Sequence, residues 1–216
     1  MEFIDWGLIH YPEATERQLE LVEKVASGEV DDTVIFCTHP PVVTLGRSTH
    51  PEDVQGWTGD VFESSRGGRA TYHGPEQLVI YPILDLKKER KNLRPRDVHQ
   101  YLRVLEQAIV RTLEELNIAA EVRETKSTDP EGRELIFTGV WSGNHKIASI
   151  GIAVRKWVTY HGAAINLTSS LNAFSGIQPC GFTKETMISI EELALRSPDS
   201  SHIQSILEKQ IRRSFI

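Results

Sequence analysis

Residues 135–167, LIFTGVWSGNHKIASIGIAVRKWVTYHGAAINL, decide the fold class of this chain. The segment contains three runs rich in apolar and β-branched residues, 135–141, 146–154 and 158–167. Short turns separate them, and the first turn carries Gly143 and Asn144. This pattern predicts three consecutive β-strands that pack into a core.

Helices are predicted on both sides of this segment. Apolar residues at helical spacing precede Gly28, which is expected to end a first helix. A longer apolar stripe runs from Val98 to Leu116, with Asp97 as the expected N-cap, and a last stripe covers residues 203–211. Further short strands are predicted at 33–37 and 78–84. Strands and helices come in blocks, which favours an α+β fold.

Composition narrows the function classes. The chain has 216 residues and a net charge of −6, and we expect residues 1–216 to form a single domain. Global acidity argues against a nucleic-acid binder, and no apolar run reaches the ~18 residues of a membrane span. The start of the chain does not resemble a secretory signal, and two distant cysteines favour a reducing cytoplasm. The spacing of His and Cys matches no metal-binding motif, so no metal is expected.

The glycine pair Gly67-Gly68 lies in the stretch RGGRATYHGP, residues 66–75. Adjacent glycines allow a ligand to approach the backbone closely, and the surrounding Arg, Thr, Tyr and His side chains supply hydrogen-bond donors. The stretch lacks the spacing of a P-loop or a dinucleotide-binding fingerprint. A plain hairpin turn with arginines facing solvent remains the alternative.

Three single residues are candidates for chemistry. Cys180 lies between Pro179 and Gly181 on an expected stiff turn, which suits a nucleophile, although a buried inert thiol is the alternative. Lys146 and His161 each precede small residues in strand-like runs. An outward-pointing lysine and a hydrogen-bonded core histidine are the simpler interpretations. Cys37 is interpreted as a core residue.

Segment 87–96, KKERKNLRPR, has six basic residues and one acidic residue. It is either a solvated connection before the long helix or a docking patch for an acidic partner.

Several of these stretches together resemble the lipoyl(octanoyl) transferases. The shared motifs are HPPVVTLGR at 39–47, the stretch 66–75, GVW at 139–141, KIASIG at 146–151, HGAAIN at 161–166 and PCG at 179–181. They occur in the family's order and spacing over most of the chain, from about residue 33 to residue 189. The resemblance implies a mixed β-sheet core with flanking helices, as in the catalytic domain of biotin and lipoate protein ligases.

The resemblance also implies an activity and its residues. It implies transfer of an octanoyl group from octanoyl-acyl carrier protein to a lysine of lipoyl domains, in 2-oxoacid dehydrogenases and the glycine cleavage H protein. Cys180 would form the acyl-thioester, Lys146 would be its catalytic partner, and no cofactor would be needed. We expect His73 and His161 to shape the pocket or to orient Lys146. The implied substrate-binding residues are Arg66, Gly67, Gly68, Arg69, Ala70, Thr71, Tyr72, His73, Ser149, Ile150, Gly151, Gly162, Ala163 and Ala164.

Two alternatives remain open from the sequence. An ATP-dependent lipoate or biotin ligase would share the fold and the lysine, but it would not need Cys180. A protein that binds acyl carriers or lipoyl domains without catalysis would form no covalent adduct.

Overall fold

The main sheet has seven strands, in the order β1-β2-β6-β10-β9-β8-β7. A computed structural model describes residues 1–128, 131–170, 173–178, 182–183 and 186–216, apart from the side chains of Ser127 and Leu135. The strands are β1 Glu2–Leu8, β2 Thr33–Thr38, β3 Val42–Leu45, β4 Asp60–Glu63, β5 Thr71–His73, β6 Gln77–Ile83, β7 Glu121–Thr128, β8 Glu134–Ser142, β9 His145–Arg155 and β10 Val158–Asn166. The helices are α1 Tyr11–Ser27, α2 Val98–Glu115, α3 Ile190–Ala194 and α4 Ser200–Phe215.

The sheet is mixed, as expected. Strands β1 and β2 pair in parallel, whereas the pairs from β2 across to β7 are antiparallel. A second sheet, in the order β4-β3-β5, contains one parallel and one antiparallel pair. The three strands predicted in residues 135–167 are confirmed as β8, β9 and β10.

Helices cover both faces of the main sheet. Helices α2 and α4 pack against each other, and their buried residues form one core with Val140, Ile147 and Ile165 of the sheet. Helix α1 packs on the opposite face, against β10 and β6. Each fully buried Leu, Ile or Phe in these cores contributes roughly 1.5–3 kcal/mol through apolar burial.

The predicted helix ends are confirmed. The carboxylate of Asp97 accepts a hydrogen bond from the Gln100 backbone N–H at 2.8 Å and caps α2. Gly28 adopts a left-handed conformation, φ 78°, and ends α1. Helix α3 was not predicted, because its five residues are too few to show a periodic pattern.

The main sheet opens between β8 and β9. These strands pair from Ser142↔His145 back to Gly139↔Ser149, with an irregularity in register between Val140 and Trp141. Before residue 139, β8 pairs only with β7, and after residue 149, β9 pairs only with β10. The two strands therefore diverge, and the gap between them is part of the cavity described below.

Acidic side chains partly neutralise the basic segment 87–96. Asp32 pairs with Lys88 at 3.2 Å and also with Arg90, whose side chain is buried. Lys87 pairs with Asp85 at 3.5 Å. Much of the segment's local charge therefore fixes its own loop to the body of the protein.

A search of the helices in the described ranges finds none that is long and apolar enough to cross a membrane.

Candidate active site

A cavity of about 270 Å³ lies where β8 and β9 diverge, and it extends below the loop that contains the glycine pair. Most of the predicted substrate-binding residues line it. These are Arg66, Gly67, Gly68, Thr71, His73, Ser149, Ile150, Gly151, Gly162, Ala163 and Ala164, and they are joined by His161. Because they come from β5, β9, β10 and the loop before β5, the fold brings together segments that lie up to about a hundred positions apart in the chain. The size of the cavity suits a slim ligand.

Arg66 holds the glycine-rich loop over the sheet. Its buried guanidinium donates to the Thr44 carbonyl oxygen at 2.7 Å and to the Arg69 carbonyl oxygen at 2.9 Å. The Gly67 N–H donates to the Ile152 carbonyl oxygen at 3.0 Å, which ties the loop to β9. A Cβ atom at Gly151 would lie only 3.0 Å from the Gly67 carbonyl oxygen. The glycines therefore permit this close approach of loop and strand.

Arg69, Ala70 and Tyr72 do not line this cavity. Arg69 forms an ion pair with the fully buried Asp53, and its Nε donates to Asp53 Oδ2 at 2.9 Å. Ala70 is completely buried, and the Tyr72 ring contacts the rings of Trp57 and Phe174 edge to face. These three residues pack behind the lining of the cavity, and their predicted contact with substrate stays a prediction.

Gly162 and His161 form an irregular point in β10. His161 has a φ of 55°, a left-handed conformation that is unusual within a strand. A Cβ atom at Gly162 would clash with the Ile80 carbonyl oxygen of the neighbouring strand. The absent side chain at position 162 therefore serves the packing of β10 on β6 as well as the cavity.

One end of the cavity is closed by buried aromatic and histidine side chains that hydrogen bond with one another or with nearby polar groups. His39 Nε2 lies 2.7 Å from the Tyr81 hydroxyl, and His73 Nδ1 lies 3.1 Å from Gln77 Oε1. His161 Nε2 lies 3.1 Å from Ser65 Oγ. We refer to this region as the closed end. Its lining residues are Tyr11, His73, Val79, Tyr81, His161 and Ala164, and we include His39, which bonds to Tyr81.

The histidines of the closed end are uncharged at neutral pH. Burial lowers the pKa of His161 to about 3, with a smaller contribution from the nearby Arg66 guanidinium. Burial also holds the pKa of His73 well below its usual range and lowers that of His39. The closed end therefore presents neutral rings to a ligand.

Lys146 does not line the cavity, and it lies past the opposite end, where β8 and β9 still pair. Its side chain is almost fully buried and crosses over Gly139, where a Cβ atom would clash with Lys146 Cε. The cross-strand partner of Gly139 is Ser149, which lines the cavity. Lys146 Nζ lies 5.8 Å from the ring centroid of Phe182. Among the residues that the structure describes, no side chain forms a hydrogen bond or ion pair with this amine.

Cys180 lies outside the described residues. Residues two positions before and after it are described: the Gln178 N–H donates to the Asp53 carbonyl oxygen at 2.8 Å, and the Phe182 ring contacts Trp141 and Lys146. Cys37, in contrast, is buried in the core, where burial raises the pKa of its thiol. Its interpretation as a core residue is confirmed.

Sequence reasoning missed Tyr11, and it did not assign roles to His39 or Tyr81. His39 belongs to the quoted motif 39–47, which was the available signal, whereas Tyr11 and Tyr81 have no local signature. Within the described ranges, no group of three His, Cys, Asp or Glu side chains is arranged to hold a metal ion.

Comparison with known protein sequences identifies the family. A sequence model of the lipoyl protein ligase A/B catalytic domain matches residues 10–212. The octanoyltransferase of Bdellovibrio bacteriovorus is 48% identical over 210 residues, which is 97% of this chain and 96% of the relative. The octanoyltransferase of Syntrophotalea carbinolica is 40% identical over 193 residues, covering 89% of this chain and 84% of the relative.

Solved structures share the fold at low sequence identity. A lipoate-protein ligase A bound with ATP superposes with a TM-score of 0.72 at 18% identity, covering 99% of this chain and 85% of that one. A bipartite lipoate protein ligase from Thermoplasma acidophilum, studied with its E2 lipoyl domain, gives 0.68 at 15% identity and covers 99% and 82%. The biotin protein ligase of Aquifex aeolicus gives 0.56 at 14% identity and covers 99% and 69%. The α+β fold expected from the sequence is therefore confirmed, and the extent of sequence identity shows that the chain belongs to the octanoyltransferase family.

Proposed function

We propose that this enzyme moves an octanoyl group from octanoyl-acyl carrier protein to the target lysine of lipoyl domains, through a thioester on Cys180. Lys146 is the proton carrier in this proposal. The observation that carries it is the burial of Lys146 beside the cavity, with Phe182, two positions after Cys180, against its amine. We take residues 1–216 as one catalytic domain.

The first half-reaction loads the enzyme. Neutral Lys146 accepts the proton of the Cys180 thiol, and the thiolate attacks the thioester carbonyl of the donor. The tetrahedral intermediate collapses with cleavage of the bond to the pantetheine sulfur. This sulfur leaves as a thiolate and takes the proton from Lys146, so that acyl-Cys180 and neutral Lys146 remain.

The second half-reaction transfers the chain. The neutral amine of the acceptor lysine attacks the acyl-Cys180 carbonyl, and Lys146 accepts the proton that this nitrogen loses. Cys180 leaves as a thiolate and recovers a proton from Lys146. One thioester is consumed and one amide is formed, which requires neither ATP nor a metal ion in the chemical balance.

The lining of the cavity is suited to a linear acyl chain. Small residues of β9 and β10, Gly151, Ala163 and Ala164 among them, line it next to the apolar Ile150 and Ile152. Burial of each methylene in such a site contributes about 0.8 kcal/mol. The Thermoplasma ligase was studied together with its E2 lipoyl domain, which supports lipoyl domains as the acceptors here. We place those of 2-oxoacid dehydrogenases and the glycine cleavage H protein in this class.

Intact-mass spectrometry tests the proposal. Incubation with octanoyl-acyl carrier protein, without ATP, should add one octanoyl mass that hydroxylamine removes. Cys180→Ala should abolish the adduct, and Cys37→Ala, the matched control in the core, should retain it. Full activity of Cys180→Ala with a requirement for ATP would instead support a ligase, and binding without any adduct would support a carrier-binding protein.

A further inference from the structure

Tyr11 separates the closed end of the cavity from a second hollow on the protein surface. Its side chain lines the cavity and is itself almost fully buried. The same residue lines a groove of about 740 Å³ between α1 and β4, together with Leu19 and Phe62. Among the described residues, Tyr11 is the only one that lines both hollows.

The Tyr11 ring is held firmly in this position. It stacks on the His73 ring at 6.1 Å and 11° on one side, and on the Phe62 ring at 6.3 Å and 26° on the other. Its hydroxyl donates to Ser64 Oγ at 2.8 Å. The ring is therefore fixed at three points, and its removal would join the cavity to the groove.

The strand order gives the direction in which an acyl chain would lie. From Thr138 of β8, the cavity passes Ser149 of β9 and Ala164 of β10 and reaches Val79 of β6. Three strand spacings of about 4.8 Å separate β8 from β6, or roughly 14 Å. The seven C–C bonds of an octanoyl chain, each ~1.5 Å and arranged in a zigzag, span roughly 9 Å. A chain that begins over β8 thus ends over β10, against which α1 with Tyr11 packs.

We propose that Tyr11 is the end wall of the acyl site and sets the longest chain that the enzyme accepts. The inference rests on the proposed function and adds the residue that limits the length of the acyl chain. The Tyr11 hydroxyl bonds to Ser64 and the Tyr81 hydroxyl bonds to His39, so neither hydroxyl is free to face the chain. Ring faces and edges therefore meet the methyl end of the chain.

The test compares Tyr11→Ala with the matched control Tyr11→Phe. Each variant and the wild-type enzyme are incubated with hexanoyl-, octanoyl-, dodecanoyl- and hexadecanoyl-acyl carrier protein, and the acylation rate is followed by intact mass. Tyr11→Ala should raise the dodecanoyl-to-octanoyl rate ratio at least tenfold, because longer chains then extend into the groove. Each further methylene that becomes buried is worth about fourfold. Tyr11→Phe, which keeps the ring, should leave the ratio within twofold of wild type.

A second variant acts in the opposite direction and guards against misfolding of the first. Ala164→Val adds volume in front of Tyr11 and should shift the preference from octanoyl to hexanoyl. If folded Tyr11→Ala keeps the wild-type ratio, or if Tyr11→Phe changes it equally, the end-wall inference is wrong. If wild-type enzyme forms no adduct with any donor, the proposed function itself fails, which is a separate outcome.

Discussion

The two ends of the cavity differ in the polar groups that lie near them, neutral histidines at one end and a buried lysine amine at the other. At the closed end, His39, His73 and His161 each hydrogen bond with a neighbouring side chain, and burial keeps them neutral. At the other end, the Lys146 amine is buried against an aromatic ring, with no hydrogen-bonded side chain among the described residues. In the proposed function, the proton transfers take place at the Lys146 end. The closed end presents neutral rings, which suit recognition of an alkyl chain, and the buried His161 Nδ1 has no hydrogen-bond partner among the described residues.

The largest effect is expected when the Lys146 amine is removed. Lys146→Ala should lower the rate of octanoyl transfer by about 10²- to 10⁴-fold, the usual contribution of a positioned acid–base group. Transfer from octanoyl-acyl carrier protein to a lipoyl domain is the measurement. His145→Ala is the matched control, because this exposed neighbour on the same strand should retain activity. A Lys146→Ala rate within threefold of wild type would contradict the role.

The glycine-rich loop is held to the protein by the ion pair between Arg69 and Asp53. Arg69→Met leaves the Asp53 carboxylate buried without its partner and should lower the free energy of unfolding by about 3–5 kcal/mol. Urea denaturation followed by circular dichroism measures this. The double variant Arg69→Met/Asp53→Asn should recover part of the loss, and an unchanged denaturation midpoint in the single variant would show that the pair is not structural.

The neutral histidines of the closed end make stability depend on pH. The pKa of His161 is depressed in the folded protein, so its contribution is complete above about pH 6.5 and is lost as the pH falls toward 3. The loss is about 1.4 kcal/mol per pH unit for each such histidine. His161→Asn, which tolerates the positive φ, should reduce the slope of unfolding free energy between pH 6 and pH 4 by that amount. Equal slopes for the two proteins would mean that His161 is already protonated in the folded state.

The smallest effect is expected at the surface. Lys91 and Arg94 are exposed, and no acidic side chain in the described part of the chain pairs with them. The double variant Lys91→Glu/Arg94→Glu should raise the KM for octanoyl-acyl carrier protein severalfold at low salt and less at high salt. Lys87 and Lys88 are unsuitable for this test, because they pair with Asp85 and Asp32. If the KM does not change at low salt, segment 87–96 is not a docking patch and only connects β6 to α2.

Sequence periodicity predicted the elements with a strong pattern. The stripe from Val98 to Leu116 and the cap Asp97 identified α2, and the apolar runs identified β8 to β10, because these features arise from local geometry. Helix α3 was too short to predict, and the gap between β8 and β9 could not be predicted, since it depends on which strand each residue pairs with.

Only part of the candidate site could be predicted from the sequence. The resemblance to a known family supplied most of the residues that line the cavity, whereas residue type alone did not separate Arg66, which lines it, from Arg69, which holds Asp53. Alternation along β9 could not decide whether Lys146 points inward, because the register is irregular at that place. Tyr11 reaches the cavity only through the packing of α1 on the sheet, which no sequence pattern near it encodes.

Asp53 connects two stretches that are far apart in the sequence. Its carboxylate holds Arg69 of the glycine-rich loop, and its backbone carbonyl oxygen accepts the hydrogen bond from Gln178, two residues before Cys180. Random mutagenesis with selection for lost lipoylation should therefore recover substitutions at position 53. A single short turn thus couples the position of the glycine-rich loop to that of the chain leading to Cys180.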